Sequence, residues 1–133
     1  MIERIVIVTA LLILTVGGAQ AVRLLARRRT DAVIGGLAPS RLSSRLSKVS
    51  PTVVYFYGPR CEACIQQARA LDELAREGTK ILAFDATEER DLADALGVLT
   101  IPTTALVDVA GRIQKINLGY HPKQALALQL AAL

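Results

Sequence analysis

The sequence predicts an α/β domain, a mixed sheet flanked by helices, preceded by one N-terminal transmembrane helix. Three observations predict it. Residues 5–22 are an uncharged, Ile/Val/Leu-rich run of eighteen residues. From residue 51 onward, short β-branched runs alternate with amphipathic helical stretches. Cys61 and Cys64, the only two cysteines, fall where the first of those strands gives way to the first of those helices. A chain of 133 residues has room for one domain and little beside it. Apolar residues make up 52% and charged residues 21%, which excludes a disordered tail. With 4% aromatic residues and no Trp, the chain offers few side chains for base stacking, so nucleic acid is not an expected partner.

The run 5–22 sits at the lower limit for a helix crossing a hydrocarbon core of about 30 Å. Leu24, Leu25 and Ala26 lengthen it to residues 5–26 if Arg23 snorkels, which makes the lipid bilayer an expected partner. A buried helix of a soluble domain would need apolar surface all round, and the rest of the chain is too small to supply it. A cleaved signal peptide is the sharper rival. Arg4, the apolar run and Ala19-Gln20-Ala21 match its three-part layout, with the cut after Ala21. Against it stand Arg23, Arg27, Arg28 and Arg29 directly beyond that point, while only Arg4, offset by Glu3, precedes the run. By the positive-inside rule those arginines stay in the cytoplasm. The expectation is a single-pass cell-membrane protein with its domain on the cytoplasmic side. An extracytoplasmic domain and cleavage after Ala21 are the alternatives.

Charge divides the chain in the same way. Residues 1–50 carry eight Lys/Arg against two acids, a net of +6, and residues 51–133 carry eight against ten, a net of −2. Residues 1–29 are therefore assigned to the anchor and its basic flank, and residues 30–50 to a linker. In that linker Gly35, Gly36 and Pro39 are breakers. Leu42, Leu46 and Val49 fall at helical spacing beside Arg41, Arg45 and Lys48, which predicts a short amphipathic helix docked on the domain or lying on lipid. The domain proper is assigned to residues 51–133, with a start as early as 37 also open.

Within it, residues 52–57 are a continuous apolar, β-branched and aromatic run closed by Gly58-Pro59, the pattern of a strand buried on both faces. Residues 62–77 turn helical, with Cys64, Ala68, Leu71 and Ala75 on one face and Gly78 as the stop. Residues 80–84 form the next strand, so the unit reads βαβ. Thr87, Glu88 and Glu89 open a short helix through Leu92 and Leu96, stopped at Gly97. With Asp85, those acids read as a helix-start cluster rather than an acid/base pair. Residues 104–109 and 112–118 pair as a hairpin about Ala110-Gly111. Pro122 starts a closing helix whose apolar residues are Ala125, Leu126, Leu128, Leu130 and Leu133. The order is βαβ-α-ββα.

Placement decides what the cysteines can do. Cys61 at a helix N-terminus faces unpaired N–H groups and the positive end of the macrodipole, both of which favour thiolate. Cys64, one turn further on, lies on the same side under more cover, within reach for a bridge. One sulfur is thus a candidate nucleophile and the other a candidate resolving thiol. Arg60 favours the Cys61 thiolate and Glu62 opposes it. A zinc site would need about four ligands, and the chain adds only the distant His121 to the two thiols, so no metal is expected. A structural disulfide over so small a loop would constrain the unfolded chain little. Inert buried thiols sit poorly with the polar approach Gly58-Pro59-Arg60. His121, in a turn before Pro122, reads as surface.

Tyr57-Gly58-Pro59-Arg60-Cys61-Glu62-Ala63-Cys64 after an apolar strand, followed by Thr100-Ile101-Pro102-Thr103 and the ending from Gly119, resembles the thioredoxin family over roughly residues 37–133. The resemblance implies a thioredoxin-like fold and thiol–disulfide oxidoreductase activity, with Cys61 attacking and Cys64 resolving. It also implies that Pro102 follows a cis peptide bond, and that Ile101 offers its backbone to a substrate chain, with Tyr57, Pro59 and Gly119 beside it. Protein disulfides or dithiols are the implied substrates, with a thioredoxin-reductase-type or membrane electron donor. The redox disulfide is the working group, and no other cofactor is implied. The sequence departs from the family at Tyr55, where a buried Asp that helps deprotonate the resolving thiol is usual, and at Glu62-Ala63, where Gly-Pro is usual. Slower resolution and a narrower partner set are expected. A non-catalytic binding module is the competing reading, and an exported relative serving cytochrome assembly or secreted-protein thiols is a third.

Overall fold

The computed structural model describes residues 1–133. Helix α1 (Ile2–Val33) is followed by a four-residue helix α2 (Ser40–Ser43) and strand β1 (Thr52–Tyr57). Helix α3 (Glu62–Arg76), strand β2 (Lys80–Asp85) and helix α4 (Arg90–Ala95) come next. The hairpin β3 (Thr103–Val107) and β4 (Ile113–Leu118) and the closing helix α5 (Lys123–Ala131) complete the chain. The sheet order is β2-β1-β3-β4. β1 pairs parallel with β2 and antiparallel with β3, and β3 antiparallel with β4. The predicted order of strands and helices is the observed one.

β1 explains why the sheet is two-sided. Its alternate residues enter two separate cores, Val54 and Phe56 on one face, Val53 and Tyr55 on the other. The first core is closed by Leu42 of α2 and by Leu92 and Leu96 around α4. The second is closed by Leu71 and Leu74 of α3 and Leu126 of α5. Lys123 at the start of α5 pairs with Glu73 and Glu77 and ties the two helices of that second face together at the surface.

Four details depart from the pattern read in the sequence. The helix near residue 40 stops at Ser43. Leu42 is fully buried and Leu46 packs on the core, but Val49 is 90% exposed, because Ser47 accepts the Val49 and Ser50 N–H groups and turns the chain. The basic residues there dock on the domain: Arg41 pairs with Glu89, and Arg45 lies over the Phe84 ring. On α3 the buried stripe is Cys64, Gln67, Ala70, Leu71 and Leu74, while Ala75 is exposed. α4 starts at Arg90, three residues late, after a turn in which the Asp85 carboxylate takes the Thr87 N–H and hydroxyl and its carbonyl takes the Glu88 and Glu89 N–H groups. The two bonds from Thr87 hold the Asp85 carboxyl below its ordinary pKa. On α5 only Leu126 is buried, and Leu128 is 74% exposed.

α1 is a single unbroken helix of 32 residues, about 48 Å long at 1.5 Å per residue. Its apolar window has a mean hydropathy of 2.3, is long enough to cross a membrane, and is nowhere covered by the rest of the chain. Its last two turns are covered on one face. Ala26 and Thr30 are buried one turn apart, and Val33 packs on the first core. At that seam the Arg29 and Thr30 backbone lies against Gly97, whose φ is +69°. Beyond α1, Gly35 donates to Ile113, Ala38 donates to Gly111, and Leu37 bridges to Arg112. Residues 35–38 thus extend the sheet side of the domain.

Candidate active site

β1 ends at Tyr57, and Gly58-Pro59-Arg60 turns the chain into α3. Arg60 has φ +56°, the only non-glycine residue in the left-handed region, and it aims the next residue at the helix start. Cys61 is the N-cap of α3. Its Sγ accepts the Cys64 N–H at 3.1 Å, so one of the four unpaired amides of the first turn is satisfied by sulfur. Cys61 and Cys64 are joined as a disulfide, with Cα atoms 5.2 Å apart. Cys61 is half-buried and Cys64 is only 6% exposed. Cys61 is therefore the more accessible half of a bridge set at the positive end of a helix.

The second wall comes from far along the chain. The Ile101–Pro102 peptide is cis and Pro102 is buried. The Ile101 side chain lies against Gly58, so closely that a Cβ there would come within 2.7 Å of Ile101 Cδ1. Glycine at 58 is thus what lets the 100–103 loop close on the cysteine turn. Gly119, in the left-handed region at φ +79°, donates its N–H to the Pro102 carbonyl at 2.8 Å. Ile101, Pro102 and Gly119, separate in sequence, are brought together with the cysteine turn. Tyr57, Pro59, Arg60 and Glu62 lie exposed around it.

Tyr55 reaches the site from beneath. Its hydroxyl donates to the Cys64 carbonyl at 2.8 Å, and its ring lies 5.6 Å from that of Tyr57. Burial, helped by the neighbouring Tyr57, pushes its pKa up to about 12. At neutral pH this phenol is a fixed donor and not a base. Gln67 is a contributor that sequence reasoning missed. Fully buried on α3, it donates to the His121 carbonyl at 3.1 Å and accepts the His121 N–H at 2.8 Å. The pair fixes the turn that follows Gly119. A polar residue three positions after Cys64, on the buried face of the helix, was the available signal. His121 itself enters through its backbone, and its Nδ1 meets the Gly119 carbonyl at 3.2 Å.

A disulfide so placed can accept two electrons from a dithiol and return them to another disulfide. The site is that of a thiol–disulfide oxidoreductase. The thioredoxin family profile matches residues 35–132. Thioredoxin of Bacillus subtilis (strain 168) is 36% identical over 74 residues, which span 53% of this chain and 70% of that protein. Thioredoxin of Alicyclobacillus acidocaldarius is 31% identical over 84 residues, 61% of this chain and 79% of that one. A solved structure of a mutant thioredoxin from Halobacterium salinarum NRC-1 has a TM-score of 0.65 at 23% identity, covering 74% of this chain and 86% of that one, a likeness of fold. The chain belongs to the thioredoxin family.

Proposed function

We propose that this protein is a membrane-anchored thiol–disulfide oxidoreductase in which Cys61 attacks and Cys64 resolves. The observation that carries the reading is the asymmetry of the bridge: Cys61 is half-buried and its Sγ caps a helix, while Cys64 is buried. In the reducing direction the Cys61 thiolate attacks one sulfur of a partner disulfide, forming a mixed disulfide and releasing one partner thiolate. Cys64, as thiolate, then attacks Cys61 Sγ, releasing the second partner thiolate and closing the Cys61–Cys64 bridge. Two electrons pass to the partner. In the opposite direction the bridge takes two electrons from a partner dithiol. Arg60 favours the Cys61 thiolate and Glu62 opposes it. The backbone at Ile101, with Pro102, Gly119, Tyr57 and Pro59 around it, receives the partner chain. Tyr55 cannot serve as a base for Cys64, which supports a slow resolving step. The partners are protein disulfides or dithiols, with a reductase-type or membrane electron donor restoring the pair.

Residues 5–26 hold the domain at the bilayer. The uncovered apolar window supports this, because about 25 cal/mol per Å² favours covering such surface and the chain itself does not cover it. The helix runs unbroken past Ala21, and the arginines directly beyond that point support the uncleaved form. The four arginines at 23–29 support a cytoplasmic domain. Two experiments test the reading. Cys64→Ser accumulates mixed disulfides with partner proteins while Cys61→Ser accumulates none; equal trapping by both variants refutes the assignment of roles. Reporter fusions after residue 30 give cytoplasmic activity, and extracytoplasmic activity refutes the orientation.

A further inference from the structure

Beside the disulfide lies a groove of about 720 Å³. Its apolar lining comes from Tyr55, Ile65, Ala68, Ile81 and Ala83, and Cys61 and Cys64 also line it. Neither Ile101 nor Pro102 lines it, so it is distinct from the cis-proline wall. Ile65 is 58% exposed and Ala83 is exposed, so apolar surface faces solvent immediately next to the reactive sulfur.

The floor of this groove ends at a free sheet edge. β2 pairs only with β1, and residues 80–84 make no hydrogen bond beyond that ladder. In a parallel pair, alternate residues point both N–H and C=O to the far side, so β2 offers a row of unpaired groups there. Exposed edges are ordinarily blunted by charges, proline or a bulge. Here Ile81, Leu82, Ala83 and Phe84 carry no charge and no proline, and their register with β1 is unbroken. The charged residues stand only at the two ends, Lys80 and Asp85. Ile81 and Ala83 are registered with Val53 and Tyr55, and both line the groove with Tyr55.

We propose that β2 accepts an extended, apolar segment of the partner polypeptide as a fifth strand, its alternate side chains filling the groove while the neighbouring cysteine is exchanged at Cys61. Two observations select a polypeptide. A row of backbone donors and acceptors is satisfied by another backbone and by no lipid or small aromatic ligand. The groove is continuous with the disulfide, so its occupant is the molecule undergoing exchange. The partner chain is then held on both flanks of Cys61, by Ile101 on one side and β2 on the other. This inference rests on the exchange chemistry proposed above.

The test uses the full chain, reduced, in lipid nanodiscs, and two synthetic peptides carrying a cysteine disulfide-linked to thionitrobenzoate. One has a flank of alternating valine and threonine; the other has proline at alternate flank positions and cannot pair as a strand. Chromophore release is expected to be at least tenfold faster for the first peptide. Ala83→Lys, which puts a cation into the groove, is expected to bring the ratio of the two rates close to one, and Ala83→Ser to preserve it. In the mixed disulfide of Cys64→Ser with the first peptide, amides of residues 80–85 gain protection from hydrogen exchange. Equal rates for the two peptides, or a ratio that survives Ala83→Lys, overturns the inference alone. A concentration-dependent dimer abolished by Ala83→Lys also overturns it, since the edge then belongs to a second copy of this chain. No exchange with either peptide overturns the oxidoreductase reading and this one with it.

Discussion

Replacing Gly97 by alanine tests how firmly α1 is seated on the domain, and Gly78 supplies the internal control. Both glycines have positive φ, +69° and +96°, so alanine at either site carries the left-handed backbone cost of about 1–2 kcal/mol. They differ in what the added methyl meets. At Gly78 nothing lies within 4 Å. At Gly97 the methyl would come within 2.7 Å of the Arg29 carbonyl oxygen, 2.8 Å of its carbon and 3.2 Å of the Thr30 nitrogen. These are helix backbone atoms, so no side chain can swing away, and either α1 or the 97–102 loop must move. Overpacking of this kind costs about 1–3 kcal/mol, which brings Gly97→Ala to about 2–5 kcal/mol in all. For a domain of this size, each kcal/mol lowers Tm by about 4–8 °C. The assay is thermal unfolding of the full chain in detergent micelles, followed by tyrosine near-ultraviolet circular dichroism, because α1 would dominate the far-ultraviolet signal. Gly97→Ala is expected to melt at least 4 °C below Gly78→Ala. Equal melting temperatures would refute the seam, and the domain would then hang from α1 by a loose hinge.

Further outcomes concern the site and its supports. Tyr55→Phe loses the bond to the Cys64 carbonyl and costs about 1 kcal/mol, read as a drop in denaturation midpoint at unchanged m. Because the Tyr55 pKa in the folded chain is raised to about 12 from an ordinary value of 10.0, its contribution to stability is complete below pH 10 and is lost as pH climbs toward 12. Tyr55→Phe should flatten that alkaline fall, and an unaltered profile would contradict the burial argument. Gln67→Leu strands the His121 N–H and carbonyl, costs about 1–3 kcal/mol, and should speed hydrogen exchange at Gly119 and His121 before other amides. In stopped flow, reduction of a model disulfide should run slower than with a thioredoxin that carries the buried Asp, with the lag in the resolving step. Matching rates would show that Cys64 finds a base without one.

The order of strands and helices was legible because burial imposes a period, and β1, flanked on both faces, shows none of the alternation of an edge strand. The active cysteines were legible because a motif within one helical turn is local, and a cap such as Cys61 needs only its own helix. Local rules failed where a side chain answers to distant backbone. Gln67 lies on the buried face because the carbonyl and N–H of His121 wait there, 54 positions along. The turn at Asp85 closes on its own bonds, Thr87 to the carboxylate and Glu88 and Glu89 to the carbonyl, and α4 starts only beyond it, at Arg90.

Composition, periodicity and the cysteine spacing by themselves determined an apolar helix, an α/β domain and a reactive sulfur pair, since each depends on residues close together in the chain. Only the tertiary structure decided that Tyr55 donates to Cys64, that Gly97 receives the end of α1, and that β2 is left with an open edge beside the disulfide. Those are facts about which surfaces meet. A strand's neighbours are chosen by the packing of the whole chain, and no window of sequence contains the partner that is missing.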